Sequence, residues 1–191
     1  MKAVVWREPL PAADPRALVD AEIPSPAAPG GHDLLVRVEA VSVNPIDTKM
    51  RVQAHAGERI LGWDAAGVVE AIGDAVTLFR PGDEVYYAGS IARSGSYAQK
   101  QLVDERIVGR KPKSLDFAAA AALPLTTLTA YEGIVDRLRV PAGKTLLVIG
   151  GAGGVGSMAR SRSASSSASR SSPPRRAPRA ADGAASWALR T

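Results

Sequence analysis

The sequence predicts a β-rich, barrel-like domain followed by the start of an α/β domain, and three observations support that order. Short apolar runs alternate with Gly and Pro turns over the first 113 residues, as in small β-barrels. The pattern becomes helical after that point. Residues 145–149 then form a continuous apolar and β-branched run, which is typical of a parallel strand buried on both faces.

The strands of the first domain are predicted from alternation and from turn residues. Residues 34–41 alternate at their centre, which indicates a half-buried strand. A Pro81-Gly82 turn directly precedes a strand that ends at Tyr87. The segment 7–31 is rich in Pro, Ala and acids, and turns are predicted in it at residues 24–26 and 29–31. The remaining predictions are strands at 2–6, within the Gly-bracketed stretch 61–73, and as a pair at 97–108.

Two helices are predicted between the β-rich region and the buried strand. Ser114 suits the N-cap position, and Pro124 interrupts the helical pattern between residues 118–123 and 126–138. The changes of pattern divide the chain into three parts. They are a β-rich domain at 1–124, the start of an α/β domain at 125–159 and a tail at 160–191.

Composition limits the function classes. The net charge is +5, but residues 160–191 contribute +6 through seven Arg and one Asp, so residues 1–159 carry −1. We therefore expect no nucleic-acid partner for the folded part. The absence of cysteine excludes disulfides and thiolate zinc sites. No apolar run approaches the roughly 20 residues that span a bilayer. The N-terminus does not resemble a signal peptide, so a soluble cytoplasmic protein without a membrane partner is expected.

A glycine-rich turn follows the predicted buried strand. Its sequence is Gly151-Ala152-Gly153-Gly154-Val155-Gly156. Glycine permits a tight turn and lets the backbone approach a pyrophosphate, which the N-terminus of the next helix stabilises. These six residues are the candidate cofactor-binding turn. The alternative is a Gly-rich loop that binds no ligand.

Five segments occur in an order and spacing that resemble the medium-chain dehydrogenase/reductase superfamily. The closest resemblance is to its zinc-free quinone oxidoreductase branch and to the neighbouring zinc-type alcohol dehydrogenase-like proteins. It covers residues 1–159 and none of 160–191. The segments are 43–49, 61–67, 80–85, 121–131 and 151–156.

The resemblance implies a fold, a cofactor and a substrate class. The fold is a chaperonin-10-like (GroES-like) β-barrel catalytic domain followed by an α/β Rossmann domain. The implied hydride donor is NADPH or NADH, and the acceptor is a small-molecule quinone or an α,β-unsaturated carbonyl such as an enone. Full-length relatives are expected to form homo-oligomers.

The same resemblance implies the site residues. Asn44 and Asp47 would line the nicotinamide end of the cleft, where Asn offers both a donor and an acceptor. Lys49 stands where well-known quinone reductases have Tyr and would contact the substrate carbonyl. Thr129 matches a nicotinamide-side contact. The alternatives are that Asn44-Pro45 is only a turn, that Asp47 only caps a helix, and that Thr129 bonds its own backbone.

The resemblance also bears on zinc. The zinc-dependent branch has Cys at the position of Asn44 and a His-Glu pair at the positions of Trp63 and Asp64. An indole binds no metal and the thiolates are missing. We therefore expect no zinc.

The sequence after residue 159 does not continue the α/β pattern. It is rich in Arg, Ser, Ala and Pro without an apolar period, which predicts a disordered tail at 160–191 and no helix or strand to cover the turn. We interpret this text as the product of a frameshift, because a G+C-rich gene read out of frame yields such a composition. The chain would then be an inactive fragment. The alternative is a non-enzymatic chaperonin-10-like module whose basic tail binds nucleic acid or another acidic partner.

Overall fold

The chain divides into two compact units in the computed structural model, which describes residues 1–53, 57–141, 143–166 and 186–189. The units are Met1–Leu125 and Thr126–Thr191. Their boundary falls one residue after the boundary predicted at 124/125. The strands are β1 (Lys2–Trp6), β2 (Val19–Glu22), β3 (Asp33–Ser42), β4 (Arg59–Ile60), β5 (Asp64–Ile72), β6 (Glu84–Ala88), β7 (Lys100–Asp104), β8 (Val108–Arg110), β9 (Leu146–Ile149) and β10 (Ser186–Leu189).

The helices connect these strands. They are α1 (Pro45–Arg51), α2 (Phe117–Ala121), α3 (Pro124–Tyr131) and α4 (Gly154–Ser166), with a 3-10 turn at Glu105–Ile107 and a π-helical segment at Glu132–Arg137. The two helices predicted around Pro124 correspond to α2 and to α3 with its π-helical continuation. Pro124 begins α3. Proline is tolerated at the first helical position because the N–H that it lacks would have no intrahelical partner there. The predicted N-cap at Ser114 is wrong, since Asp116 accepts the Ala119 N–H at 2.7 Å.

The core of the first unit lies on a five-stranded antiparallel sheet in the order β7-β3-β5-β6-β8. Gly67 lies in β5, where a Cβ would meet Val36 Cγ1 at 2.8 Å and overlap the carbonyl oxygen of Arg37. The strands at 34–41 and before Tyr87 are confirmed as parts of β3 and β6. The core side chains are Leu34, Val36, Ala65, Val69, Phe79, Val85, Tyr87 and Val103.

A smaller sheet lies beside the first, in the order β2-β1-β4. The strand predicted at 2–6 is confirmed as β1, whose Val4 N–H donates to the Tyr97 carbonyl at 2.8 Å. No strand is predicted within 7–31, but β2 lies there and pairs with β1. The predicted strand pair at 97–108 is wrong. Its strands, β7 and β8, lie on opposite edges of the large sheet, because the 3-10 turn redirects the chain between them.

The second unit contains β9, the glycine-rich turn and α4. The predicted parallel strand, buried on both faces, differs from the structure: β9 pairs antiparallel with β10, and Leu147 and Ile149 are 59% and 77% exposed. The prediction that no helix follows the turn is wrong, because α4 runs to Ser166 and enters the predicted tail. The strand β10 also falls within the predicted tail. Residues 167–185 of the tail lie outside the described residues.

One helical stretch qualifies by length and composition alone as a membrane span. It is Phe117–Arg137, with 21 residues and a mean hydropathy of 1.2. The expectation that no segment approaches this length was therefore too strict. A single stretch of this kind is weak evidence, because core helices of soluble proteins satisfy the same criteria.

Candidate active site

The candidate site begins at the turn that opens α1. Asn44 is the N-cap residue, and Pro45 follows at the first helical position, where its fixed φ suits a helix. The Asn44 N–H donates to Asp47 Oδ2 at 2.6 Å, and the Asp47 N–H donates to the Asn44 carbonyl at 3.0 Å. Both side chains are buried. The capping alternative for Asp47 therefore describes the local geometry, but it does not account for its other contacts.

Asp64 connects this turn to the large sheet. It is the first residue of β5 and is fully buried. Its Oδ2 accepts from Asn44 Nδ2 at 2.8 Å, and its Oδ1 accepts from the Leu125 N–H at 2.8 Å. Sequence reasoning considered Asp64 only as a missing zinc ligand. The position of Asp64 directly before the apolar run of β5 could have indicated a buried carboxylate. A buried carboxylate requires hydrogen-bond partners, which would have pointed to a polar site there.

Tyr97 completes the polar cluster. Its hydroxyl donates to Asp47 Oδ2 at 3.0 Å, while its ring packs on the apolar cluster of Trp6, Leu61 and Trp63. Burial raises the pKa of Tyr97, and the negative charge of Asp47 raises it further. Asp47 Oδ1 is buried and has no hydrogen-bond partner among the described residues. We call Asn44, Asp47, Asp64 and Tyr97 the carboxylate cluster.

The carboxylate cluster has an unusual protonation equilibrium at Asp64. Burial raises the pKa of Asp64 to about 6. The hydrogen bonds from Asn44 and Leu125 oppose that rise, and the charge of Asp47 adds to it. The Asp64 carboxyl group therefore changes its protonation state near pH 6, close to the physiological range.

We expect stability to depend on pH through Asp64. Its folded-state pKa lies above the ordinary value of 3.8, so the folded chain binds more protons between about pH 4 and pH 6. The contribution of Asp64 is therefore most favourable below that window and is lost as pH rises through about 6. Urea unfolding of wild type and Asp64→Asn from about pH 4.5 to about pH 7.5 measures this contribution. The stability of wild type relative to the variant should fall as pH rises, and a constant difference would contradict the assignment.

The structure does not bring Lys49 into the carboxylate cluster. Lys49 is exposed on α1, and it lies two residues from the buried Asp47. Successive helical residues are about 100° apart, so positions two apart point to opposite sides. The substrate-contact role of Lys49 stays a prediction, and the exposed position makes it available to a ligand rather than to Asp47.

The other predicted site residues lie in the second unit. Thr129 is exposed on α3, and residues 152–155 of the glycine-rich turn are exposed while Gly151 and Gly156 are buried. Gly150 has φ +70°, and the Gly153 N–H donates to its carbonyl at 2.9 Å. A Cβ at Gly156 would lie 2.7 Å from Gly151 Cα, so only glycine fits beneath the turn. The turn thus carries glycine at several positions before and at the start of α4, a composition that is compatible with close approach of a pyrophosphate to a helix N-terminus.

Comparisons with known proteins identify the family. Residues 30–113 match the alcohol dehydrogenase GroES-like domain. The zinc-type alcohol dehydrogenase-like protein of Staphylococcus epidermidis is 49% identical over 138 residues, which cover 69% of this chain and 41% of that protein. The chain belongs to the medium-chain dehydrogenase/reductase superfamily. The predicted family and the GroES-like, chaperonin-10-like catalytic fold are thereby confirmed.

Solved structures of this superfamily have the same fold. A protein from Rhizobium etli CFN 42, described as a zinc-dependent alcohol dehydrogenase, is 55% identical with a TM-score of 0.76 and covers 83% of this chain and 48% of that one. The quinone oxidoreductase of Escherichia coli, solved with NADPH, is 27% identical with a TM-score of 0.63 and covers 72% and 41%. This chain thus spans less than half the length of these medium-chain dehydrogenases/reductases.

The names of some relatives mention zinc, but the residues of this medium-chain dehydrogenase/reductase do not fit it. Asn44 Nδ2 donates to Asp64, and both oxygens of Asp64 accept from N–H groups. Trp63 Nε1 donates to the Ser90 carbonyl at 3.0 Å. Within the described ranges no group of three or more His, Cys, Asp or Glu is placed to hold a metal. Zinc requires several such ligands in tetrahedral geometry.

We expect the purified chain to contain less than about 0.1 zinc per molecule after dialysis, because the positions of the zinc ligands hold hydrogen-bonded amide, indole and carboxylate groups. Elemental analysis by mass spectrometry measures this ratio. About one zinc per chain that survives dialysis would show that another set of residues binds the metal.

Proposed function

We propose that the whole protein is a zinc-independent oxidoreductase, which transfers hydride from NADPH or NADH to a small quinone or α,β-unsaturated carbonyl. The observation that carries this proposal is the carboxylate cluster. By the resemblance, Asn44 and Asp64 of this cluster stand at zinc-ligand positions, and their hydrogen bonds leave no thiolate or imidazole there to hold a metal that would polarise an alcohol. Reduction of a conjugated acceptor needs orientation and electrostatics more than a metal.

The cofactor proposal rests on the second unit. The first N–H groups of α4 and the glycine-rich turn would hold the pyrophosphate, with Gly151, Gly153 and Gly156 allowing close approach. When bound, NAD(P)H supplies the hydride. Asn44 would orient the carboxamide of the nicotinamide, and Thr129 would contact the same end. Lys49 would meet the acceptor oxygen as an exposed cation.

We also propose that the 191-residue chain does not turn over by itself. It spans 41% of the length of its staphylococcal relative. Alternate side chains of β9 lie in solvent rather than under further helices and strands of a doubly wound sheet. The lost contacts and preorganisation would weaken cofactor binding by several kcal/mol, an order-of-magnitude figure. A soluble, cytoplasmic location is part of the same proposal.

The test compares the 191-residue chain with a frame-restored protein, whose reading frame after codon 159 continues the α/β domain. We expect oxidation of NADPH with quinones or enals by the restored protein and none by the short chain. In the restored protein, Asn44→Ala should lower kcat/KM by about tenfold or more. The exposed strand residue Asp20, changed to Asn, is the matched control and should leave kcat/KM unchanged. Equal turnover by both chains, or no turnover by the restored protein with any acceptor, would overturn the proposal.

A second candidate is a non-enzymatic module with a basic tail. The observation in its favour is the positive charge of residues 160–191, which include seven Arg and only one Asp. Binding to DNA or RNA that weakens with salt, and disappears when residues 160–191 are deleted, would support it. Binding of NADPH by the restored protein without nucleic-acid binding by either chain would exclude it.

A further inference from the structure

The two oxygens of Asp64 bind two different parts of the first unit. Oδ2 accepts from the side chain of Asn44, which precedes α1. Oδ1 accepts from the backbone N–H of Leu125, 61 residues along the chain and at the start of α3. The carboxylate is fully buried, so these contacts replace its hydration. Its strand neighbours, Ser42 on β3 and Ala88 on β6, carry no charge.

We propose that Asp64 is a positioning residue, which turns the Asn44 amide nitrogen inward, leaves only the side-chain oxygen Oδ1 of Asn44, which faces the Asp47 N–H in the capping box, to meet a ligand, and caps helix α3. A carboxylate can only accept hydrogen bonds, so the nitrogen of the Asn44 amide must face Asp64. The same nitrogen also lies 3.4 Å from the Ser42 carbonyl. Both amide hydrogens are thus directed at protein acceptors.

This orientation narrows what Asn44 can recognise. An acceptor-only side chain binds an N–H donor and gives no hydrogen bond to a carbonyl oxygen. Asn44 would therefore hold the carboxamide N–H of a nicotinamide and would not polarise the carbonyl of the substrate. This assignment of the ligand atom rests on the proposed function, whereas the orientation itself does not.

The second contact lies in the first turn of α3, where Asp64 accepts from Leu125. The first N–H groups of a helix have no intrahelical partner, and Ser, Thr, Asp or Asn at the preceding position usually accepts from them. That position is Leu123, whose side chain has no acceptor. Asp64 supplies the acceptor from β5 instead. One carboxylate therefore sets both the Asn44 side chain and the start of the helix.

The protonation of Asp64 gives a readout that needs neither cofactor nor substrate. Burial raises its pKa to about 6, and the titratable groups whose charges couple to it are Asp47 and Tyr97. NMR spectra of the labelled 191-residue chain would follow the Asp64 carboxyl carbon, the Asn44 side-chain amide and the Leu125 backbone amide against pH. We expect all three to move with one midpoint near 6. Signals of Asn44 and Leu125 that ignore the Asp64 transition would overturn the proposal.

An exchange of the two side chains tests the orientation. Asn44→Asp sets two carboxylates against each other and should lower Tm by roughly 5 °C or more. In Asp64→Asn one of the two accepting oxygens becomes an NH₂ group. One of the two N–H donors, from Asn44 or Leu125, then faces another donor, so Tm should also fall. The double variant restores a donor at 64 facing an acceptor at 44, so it should recover at least half of the loss of Asn44→Asp. Losses that simply add would overturn the proposal.

Asp20→Asn on the exposed strand β2 is the control for removing one carboxylate and should leave the Asn44 and Leu125 signals in place. Because these experiments monitor hydrogen bonds and stability, their outcome is independent of turnover. A restored protein that reduces no quinone would refute the proposed function and leave the role of Asp64 standing. Independent titration of Asn44 and Leu125 would do the reverse.

Discussion

Replacing Trp63 with alanine is expected to lower the free energy of unfolding of the first unit by about 3–5 kcal/mol. The indole is 1% exposed and packs with Trp6 and Leu61, and partly buried Ile46 and Met50 of α1 pack against the same cluster. Truncation leaves a cavity under α1 and removes the hydrogen bond from Nε1 to the Ser90 carbonyl. Urea unfolding followed by far-UV circular dichroism measures the loss.

Trp63→Phe is the matched control, because it keeps most of the aromatic volume and loses the hydrogen bond. We expect it to cost about 1–2 kcal/mol, the range for one unsatisfied buried group. A loss below about 1 kcal/mol for Trp63→Ala would mean that the cluster rearranges to fill the cavity. The same outcome would show that this indole does not support the turn that carries Asn44.

The second large effect is expected at Gly62. Its φ is +88°, a region that favours glycine, and a Cβ there would lie 2.8 Å from Ser96 Oγ and overlap the ring of Tyr97. Gly62→Ala should therefore combine backbone strain of about 1–2 kcal/mol with about 1–3 kcal/mol of steric cost. Because the Tyr97 hydroxyl donates to Asp47, displacement of the ring should also disturb the carboxylate cluster.

Gly82→Ala separates the two contributions. Gly82 has φ +93°, but no atom lies within 4 Å of a Cβ built there. We expect this variant to lose only the strain, about 1–2 kcal/mol, and to leave the Tyr97 signals in NMR spectra unchanged. Equal losses at Gly62 and Gly82 would show that Tyr97 moves aside at no cost, which would contradict a fixed hydrogen bond to Asp47.

The sequence predicted the strands whose pattern is local and failed where pairing is decided at long range. Residues 2–6 form a short apolar run and residues 34–41 alternate at their centre, and both are strands in the structure. The strand β2 was missed because Pro, Ala and acids around it favour turns, while pairing with β1 holds it extended. Periodicity also says nothing about partners, so β7 and β8 were wrongly predicted to pair.

The site was predicted in its local part only. Asn44 and Asp47 lie three residues apart, and the structure joins them directly. Their other partners, Asp64 and Tyr97, come from positions 20 and 50 residues away, which no local pattern connects. The helix α4 was missed because its Arg and Ser residues give no apolar face, although the turn before it supplies the geometry that starts a helix.

The interior position of β3 in the large sheet, between β5 and β7, has a consequence for folding kinetics. On one side β3 pairs with β5, and on the other it pairs with β7, which enters much later in the sequence. The pairing of β3 with β7 closes a loop that contains β4, β5 and β6. The chain must therefore lose the entropy of closing this loop before the β3–β7 contacts can form. A domain with such high contact order is expected to fold in milliseconds to seconds. During that time β3 presents an unpaired apolar edge, which makes the nascent chain sensitive to aggregation before β7 arrives.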